Sequence, residues 1–274
     1  MTCVMKPTSS DTPLVSVIIP SYNHIDFVED AIKSVVGQTY SNIELIVIDD
    51  GSSDGSFELL KDLSSKYEFE LFSQDNQGLS SALNKGVRNY SRGAYICVLA
   101  SDDYFHLQKI QYQVDALGFN TRSQYCCTQA IKFDTTTGES LCTFPQKSYS
   151  GNVLKKITLG LPYAGGSVMF SRKLFELVGG FDENLKIEDW DFSLRCSSVT
   201  DFTFIAIPLF YYRSHDNNMM KVTNRREIFH NKVQTLFKNY SIIPKHYLLF
   251  SLCGHFLNDY LFFIFKRINL KKYF

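Results

Sequence analysis

The chain has 274 residues, a length that corresponds to one or two domains. Hydrophobic residues make up 45% of the sequence and charged residues 20%, a globular composition that excludes intrinsic disorder. The 28 Lys and Arg residues balance the 28 Asp and Glu residues, so no general positive field attracts nucleic acid, and we expect no nucleic-acid partner.

Apolar runs and helical patterns alternate through the first hundred residues. Short apolar runs rich in β-branched residues predict four strands, at 14–19, 43–48, 69–72 and 94–99. Apolar residues at helical spacing predict three intervening helices, which begin near Ile25, Phe57 and Leu79. This alternation is typical of right-handed βαβ units, so we predict an α/β fold with a mainly parallel sheet.

The alternation weakens after about residue 120. The remaining sequence predicts mixed strands and loops over 123–170, a helix over 187–196, two short strands near 202–206 and 209–213, and helices over 224–238 and 244–266. We therefore predict one domain over residues 1–220, followed by a C-terminal helical extension over 221–274.

Three predicted strands end in polar or acidic segments, at 20–23, 49–51 and 101–103. In parallel sheets, ligands bind outside the carboxyl ends of the strands, so these segments are expected at one edge. The paired carboxylates of Asp102 and Asp103 suit Mg²⁺ or Mn²⁺, ions that commonly share their site with substrate phosphates. A solvated acidic turn is the alternative interpretation of this pair.

Four sequence blocks, which occur in order over about residues 13–215, resemble the bacterial surface-polysaccharide type of family 2 inverting glycosyltransferases with the GT-A fold. The blocks lie within three segments, VSVIIPSYNHIDFVEDAIKSVVGQTYSNIELIVIDDGSSDGS, DNQGLSSALNKGVRNYSRGAYICVLASDDYF and GGFDENLKIEDWDFSLRC. The resemblance implies a single GT-A-like, Rossmann-type domain with a nucleotide-binding half near 13–105 and an acceptor half near 106–220.

The resemblance also implies residues that bind a nucleotide sugar. Pro20 and Tyr22 would line the base pocket, and Asp50 would accept a hydrogen bond from the uracil N–H. Asn84 belongs to a block that runs near the nucleotide. The donor expected from this pattern is a UDP-sugar.

A Mn²⁺ or Mg²⁺ ion is the cofactor that the resemblance implies. Asp103 would ligate the ion, and Asp102 would contact either the ribose or the ion. Relatives with a Tyr-Arg-x-His stretch use its His as a ligand, which makes His215 a candidate third ligand. The family's metal motif is often Asp-x-Asp-Asp, and Ala100 stands at its first position.

The third segment aligns Asp189 with the catalytic base and Glu188 with its usual neighbour. An inverting transferase needs one carboxylate that takes the proton from the attacking acceptor hydroxyl. Acids in the first turn of a helix also complement the helix dipole, which is the alternative reading of both residues. Trp190 and Asp191 are candidates for acceptor binding, and core packing is the alternative for the single Trp.

These expectations favour an enzyme that transfers a hexose or N-acetylhexosamine to a glycan acceptor. A lipid-diphosphate-linked saccharide in O-antigen or capsule synthesis fits best. A non-catalytic nucleotide-sugar-binding relative is the alternative, and Ala100 is its only support. A sugar-phosphate nucleotidyltransferase is disfavoured because no Gly-rich phosphate loop follows the first strand.

The tail and the cysteines bear on location. Seven cysteines without a C-x-x-C pair favour a reducing compartment, and the N-terminus lacks an apolar core typical of a signal peptide. Asp259 interrupts the most apolar region, which is too short for a spanning helix of about 20 residues. We expect a cytoplasmic protein that contacts the cytoplasmic face of the inner membrane through residues 244–272, or whose tail instead packs on protein.

Overall fold

The computed structural model describes residues 12–216 and 218–261 of the chain. Nine strands lie within these residues: β1 (Val15–Ser21), β2 (Ile43–Asp49), β3 (Glu70–Ser73), β4 (Tyr95–Val98), β5 (Tyr104–Phe105), β6 (Ser123–Asp134), β7 (Ser140–Phe144), β8 (Met169–Ser171) and β9 (Asp201–Ser214). They form one sheet in the order β3-β2-β1-β4-β8-β6-β9-β5, and β7 pairs with β6.

The α-helices of the described residues lie between these strands and after the last of them. They are α1 (Val28–Val36), α2 (Ser56–Tyr67), α3 (Leu79–Lys85), α4 (Lys109–Phe119), α5 (Leu154–Thr158), α6 (Arg172–Val178), α7 (Glu188–Ser197), α8 (Met219–Val222), α9 (Arg225–Lys238) and α10 (Lys245–His255). Short π-helical segments extend α3 over Gly86–Tyr90 and α10 over Phe256–Leu261.

Strand direction brings four carboxyl ends to one edge of the sheet. The parallel pairs β1–β2, β1–β4 and β2–β3 confirm the predicted βαβ half. β4 and β6 are each antiparallel to β8, so they run in the same direction, and β9 is parallel to β6. The loops after β1, β2, β4 and β9 therefore share one edge, where α/β sheets bind ligands.

β9 is one strand of 14 residues, where the sequence predicted two short strands. Its pairing with β6 shifts around Pro208, which lies opposite Gln129, and the register is irregular on both sides of that pair. Proline has no N–H for the ladder, and bulges accommodate such a residue without ending the strand. The continuous strand carries its last residues to the ligand-binding edge.

The core consists of two apolar layers, one on each face of the sheet. In β1, Val17 and Ile19 pack into one layer, and Ile18 packs into the other. Buried residues of α1, α2 and α4 belong to the first layer. Residues of α3, α5, α6 and α7 belong to the second, which is the three-layer α/β arrangement.

The described part of the C-terminal extension packs on the second apolar layer. Leu236 of α9 and Ile243 are buried there together with Ile157 and Trp190. α10 ends at His255, and residues 262–274 of the predicted tail lie outside the described residues. Among the helices that the structure describes, none is both long and apolar enough to cross a membrane.

Candidate active site

A group of metal-ligating side chains lies at the shared strand edge. The ligand atoms of His24, Asp102 and His215 all lie within 4.8 Å of one another. Each follows a different strand, since His24 comes after β1, Asp102 after β4 and His215 after β9. Two imidazole nitrogens and a carboxylate oxygen form a donor set that first-row transition ions accept.

Hydrogen bonds and ring contacts hold this group together. His215 Nε2 lies 3.0 Å from Asp102 Oδ2, and His24 Nδ1 lies 2.8 Å from the hydroxyl of Ser101. The Phe27 ring packs 4.9 Å from the His215 ring, measured between centroids. Burial lowers the pKa of His24, which keeps its imidazole in the neutral form that metal ions bind.

Asp103 is not part of this metal-ligating group. Its Oδ1 accepts the backbone N–H of Arg213 at 2.7 Å, so its carboxylate ties the loop after β4 to β9. Burial, and then the neighbouring Asp102 carboxylate, raises the pKa of Asp103 well above its ordinary value. Asp102 therefore presents its carboxylate to the two histidines, and the role of Asp103 as a metal ligand stays a prediction.

The side chain of Arg213 connects several elements around the metal-ligating group. Its Nε donates to the backbone oxygen of Asp102 at 2.7 Å, and its Nη2 donates to Asp30 Oδ2 at 2.9 Å. The guanidinium lies near the rings of Phe27, Tyr104 and Phe133, within 5.6 Å of each centroid. Its contacts thus join α1, β9 and the acidic loop.

Asp50 organises the loop after β3. Its Oδ1 accepts the N–H of Gln77 at 2.9 Å and the side-chain amide of Gln74 at 2.6 Å, and its Oδ2 accepts the N–H of Gly78 at 2.8 Å. Gly78 has a φ of +88°, a left-handed conformation that glycine adopts without strain. The predicted uracil contact of Asp50 therefore competes with its hydrogen bonds to this loop.

Three buried polar atoms close to Asp50 lack a hydrogen-bond partner in the described structure. They are Ser21 Oγ, Asp49 Oδ1 and Gln74 Oε1. Ser21 and Asp49 lie opposite each other in the β1–β2 pair. Buried polar groups are normally satisfied, so atoms of this kind indicate a polar ligand or bound water at this edge.

Pro20 and Tyr22 flank these atoms at the end of β1. Pro20 is buried within the strand, opposite Ile48 of β2. The Tyr22 ring is 47% exposed, which leaves a large aromatic surface beside the strand edge. A planar base can stack on such a ring.

Asn84 has a structural role in the described chain, and its nucleotide contact stays a prediction. Its Nδ2 donates to the backbone oxygen of Phe181 at 2.9 Å and to Glu183 Oε1 at 2.8 Å, and its Oδ1 accepts the N–H of Phe181 at 2.9 Å. The side chain is buried, and both N–H donors of its amide are used. Asn84 therefore anchors the segment that leads into α7.

Glu188 and Asp189 begin α7, as predicted. Asp189 Oδ1 accepts the N–H of Trp190 at 2.7 Å. Burial, and then the charge of Asp189, raises the pKa of Glu188 to about 8, and burial also raises the pKa of Asp189. The raised pKa of Glu188 favours its protonated form near neutral pH, which disfavours a second negative charge on the coupled pair.

The raised pKa of Glu188 predicts a pH-dependent stability. Its carboxyl has a pKa of about 8 in the folded chain and about 4.5 when unfolded, so stability is lost as the pH rises through this interval. We expect Glu188→Gln to remove that loss and to stabilise the chain at about pH 8 by on the order of 3 kcal/mol. Urea unfolding of the unaltered chain and of Glu188→Gln at about pH 5 and pH 8 measures the free energy of unfolding. The same pH dependence in both proteins would contradict the raised pKa of Glu188.

The backbone at Gly165 and Gly166 lies very close to Asp189 and to β9. A Cβ at Gly165 would lie 2.8 Å from Asp189 Oδ2, and a Cβ at Gly166 would lie 2.6 Å from the Phe210 ring. Since real Cβ atoms do not come this close, both positions require glycine or a shift of their neighbours. The turn at Gly165–Ser167 thus lies between Asp189 and β9.

Tyr212 of β9 links Asp189 to the acidic loop. Burial, followed by the carboxylates of Asp103, Asp102 and Asp189, raises the pKa of Tyr212 to about 12. Charges act appreciably on a phenol only at short range, because solvent screens distant ones. The base candidate on α7 and the acids after β4 therefore both act electrostatically on Tyr212.

Trp190 and Asp191 hold α7 in the core, which corrects their predicted roles in acceptor binding. The indole is 2% exposed, and its Nε1 donates to the backbone oxygen of Ile157 at 2.6 Å. Asp191 Oδ2 accepts two hydrogen bonds from Arg195, and its Oδ1 accepts one from Asn239 of the C-terminal extension. A buried and fully bonded pair cannot stack on or bind a sugar.

The family model described as Glycosyl transferase family 2 matches residues 16–179, more than half of the chain. The chain belongs to glycosyltransferase family 2. The match includes β1, β2 and β4 with the loops that follow them, and it ends before α7 and β9.

Curated relatives of this family 2 glycosyltransferase come from several bacteria. It is 29% identical to the uncharacterized glycosyltransferase RP339 of Rickettsia prowazekii over 96% of the chain and 83% of that protein. It is 32% identical to RT0329 of Rickettsia typhi over 75% of the chain and 65% of that protein. Other relatives are longer still, and the chain spans 38% of one from Rickettsia felis.

A relative with a named activity is the cholesterol galactosyltransferase of Borreliella burgdorferi. It is 28% identical over 93% of the chain and 76% of that protein.

Solved structures share the GT-A-like fold of this glycosyltransferase. S. aureus TarS (residues 1–349) in complex with UDP-GlcNAc has a TM-score of 0.73 and 16% identity, over 89% of this chain and 72% of that one. The mannosyltransferase PcManGT of Pyrobaculum calidifontis, in complex with GDP-Man and Mn²⁺, has a TM-score of 0.66 and 19% identity, over 93% and 73%. The predicted fold class and family are thereby confirmed.

The sequence prediction missed His24. Its position was within reach, because it follows β1 at the edge where the acidic loops were expected. The sequence did not reveal the path of β9, and that path is what places His215 next to His24.

Proposed function

We propose that this family 2 glycosyltransferase is a metal-dependent, inverting enzyme that transfers a hexose or N-acetylhexosamine from a UDP-sugar to a glycan acceptor. The observation that carries the proposal is the common neighbourhood of two carboxylates. Asp189 lies beside Gly165, whose neighbour Gly166 approaches the Phe210 ring of β9, and Asp102 lies 3.0 Å from His215, which directly follows the same strand. A donor diphosphate and a catalytic base are therefore expected to face one reaction centre.

The unpartnered polar atoms at the end of β1 support a uracil site. Uracil offers one N–H donor and two carbonyl acceptors. Asp49 Oδ1 can accept the N–H, and the hydroxyl of Ser21 can donate to a carbonyl. Tyr22 supplies a stacking surface beside them. The UDP-GlcNAc complex of TarS, a protein of similar fold, favours the same class of donor.

The metal-ligating group fits a divalent ion. Asp102 and His215 offer an oxygen and a nitrogen donor 3.0 Å apart, a pair that Mn²⁺ accepts. The ion would supply positive charge for the departing diphosphate. PcManGT, also similar in fold, was solved with Mn²⁺ and GDP-Man. Hydrogen bonds of Asp103 and Arg213 hold the loop that carries Asp102 against the end of β9.

Asp189 is the proposed general base. The acceptor oxygen bonds to C1 of the sugar as the bond from C1 to the diphosphate oxygen breaks, and the hydroxyl proton passes to Asp189. Trp190 holds Oδ1, so Oδ2, which lies beside Gly165, is the oxygen that takes the proton. The raised pKa of Glu188 favours its protonated form, which disfavours a second negative charge beside the base.

A panel of nucleotide sugars tests the proposal. We expect a UDP-sugar with Mn²⁺ to raise the Tm of the chain and to be consumed with release of UDP when a saccharide acceptor is supplied. The product should have the anomeric configuration opposite to the donor, as read by NMR coupling constants. Binding without turnover on any acceptor would favour a non-catalytic carrier, and a retained configuration would contradict inversion.

A lipid-diphosphate-linked saccharide is the proposed acceptor, in O-antigen or capsule synthesis at the cytoplasmic face of the inner membrane. Two features support an acceptor in a membrane. Leu249 and Phe250 of α10 are 63% and 67% exposed, and Leu257 is exposed about two turns beyond them. The relative from Borreliella burgdorferi is named for its action on cholesterol, itself a membrane lipid.

Membrane contact of α10 has a direct test. We expect the double variant Leu249→Glu, Phe250→Glu to lose binding to vesicles that contain anionic lipid, because two apolar side chains are removed from the interface. Co-sedimentation measures the bound fraction. Leu177→Glu on α6, whose side chain is equally exposed, serves as the control and should still bind. Equal binding of all three proteins would contradict contact through α10.

A further inference from the structure

We infer that His24 is a third protein ligand of the divalent ion and that its imidazole makes the site prefer Mn²⁺ to Mg²⁺. The inference rests on the metal dependence of the proposed function and extends it to a residue outside the acidic loop and the end of β9. His24 follows β1, the strand that ends at Ser21, one of the residues proposed to contact the donor base.

The His24 ring is held in place from several sides. Its Nδ1 lies 2.8 Å from Ser101 Oγ, and its backbone N–H donates to Ser56 Oγ at 3.2 Å. The ring makes edge contacts with Phe27 and His215, at centroid distances of 6.1 and 5.9 Å. These contacts fix the orientation of the imidazole.

Ser101 provides the hydrogen-bond partner that a metal-ligating histidine normally has. Such a histidine donates its second ring N–H to a neighbouring oxygen, which fixes the ring and its tautomer. Ser101 is buried and directly precedes Asp102, so the same loop supplies one ligand and orients another. With Nδ1 bonded to Ser101, Nε2 is the nitrogen that can coordinate.

Two imidazoles change the ion that the site favours. Mg²⁺ prefers oxygen ligands and sheds its water reluctantly, whereas first-row transition ions also accept imidazole nitrogen. With Asp102 and His215 alone, the protein offers one oxygen and one nitrogen. His24 adds a second nitrogen within 4.8 Å of both, which disfavours Mg²⁺ relative to Mn²⁺.

Direct Mn²⁺ binding to the full chain, without donor, tests the inference. His24→Phe keeps an aromatic ring and removes both nitrogens. We expect its Mn²⁺ affinity, titrated by EPR, to fall about 10- to 100-fold. Mg²⁺ affinity, measured by competition, should change by less than about 3-fold, so that the Mn²⁺/Mg²⁺ preference falls. Pulsed EPR should detect two coordinated nitrogens in the unaltered chain and one in the variant.

Two further variants separate ligation from folding. Ser101→Ala should weaken Mn²⁺ binding by about 10-fold while both nitrogen couplings remain, because only the orienting hydrogen bond is lost. His230→Gln alters an exposed histidine of α9 and should bind Mn²⁺ as the unaltered chain does. Thermal unfolding of each variant checks that the chain is folded.

The outcomes distinguish this inference from the proposed function. If Asp102→Asn abolishes Mn²⁺ binding while His24→Phe keeps the original affinity and both nitrogen couplings, the role of His24 is overturned and the metal site stands. If the unaltered chain binds no Mn²⁺, the inference and the metal dependence of the proposed function both fail.

Discussion

Asp189→Asn is expected to abolish most sugar transfer while UDP binding survives. The asparagine keeps the size of the side chain and the hydrogen bond from the Trp190 N–H, but it cannot take a proton from the acceptor. Loss of a general base lowers kcat by about 10²- to 10⁴-fold. Steady-state transfer assays and calorimetric UDP titration with Mn²⁺ measure the two quantities.

Asp115→Asn is the matched control for this loss. Asp115 is an exposed aspartate of α4 that hydrogen-bonds Gln111, and the variant should transfer sugar at the original rate. Transfer by Asp189→Asn at more than about a tenth of the original rate would remove Asp189 as the base. A parallel loss of UDP affinity would instead mean that the substitution disturbs the donor site.

Asp102→Asn and Asp103→Asn are expected to differ sharply although the two residues are adjacent. Asp102 lies with the two histidines, so the amide should weaken Mn²⁺ binding by at least about 100-fold and lower kcat correspondingly. Asp103 already has a raised pKa, and an amide oxygen can still accept the Arg213 N–H. Asp103→Asn should therefore keep Mn²⁺ affinity within about 3-fold.

Mn²⁺ titration by EPR and the thermal midpoint of each variant decide between the two acids. The same amide substitution at neighbouring positions makes each variant the control for the other. If Asp103→Asn loses the metal and Asp102→Asn keeps it, the assignment from the structure is wrong and the assignment from the sequence resemblance is right.

Much of the fold could be predicted because apolar periodicity records burial directly. The first four strands and the helices between them alternate so regularly that a parallel sheet and its ligand-binding edge follow from the sequence. The path of β9 could not be predicted, because Pro208 interrupts the apolar pattern without ending the strand. Only that path places His215 beside the loops after β1 and β4.

The candidate site was predictable in type more than in detail. Spacing identifies polar residues near an edge, but it does not say which of them bond to other parts of the protein. Asn84, Trp190 and Asp191 lie in the expected segments, yet each is buried and bonded to another element. The choice between Asp102 and Asp103 likewise depends on side-chain direction, which adjacent residues in a turn do not reveal.

The C-terminal extension helps to hold α7 in position. Asn239 of that extension donates to Asp191, so the helix that carries the proposed base is held partly from outside the first 220 residues. The boundary near residue 220 stays a prediction. Packing of Leu236 and Ile243 into the main core suggests that truncation there would weaken α7.

A crystal structure of the chain with Mn²⁺ and UDP is the most direct test of the central claim, that the metal-ligating group and the base serve one reaction centre. We predict an ion bound by Asp102 and His215 that contacts the diphosphate of UDP. The carboxylate of Asp189 should face the open side of that diphosphate, where the sugar and the acceptor meet. An ion held elsewhere, or an Asp189 that faces a cavity separate from the diphosphate, would contradict the claim.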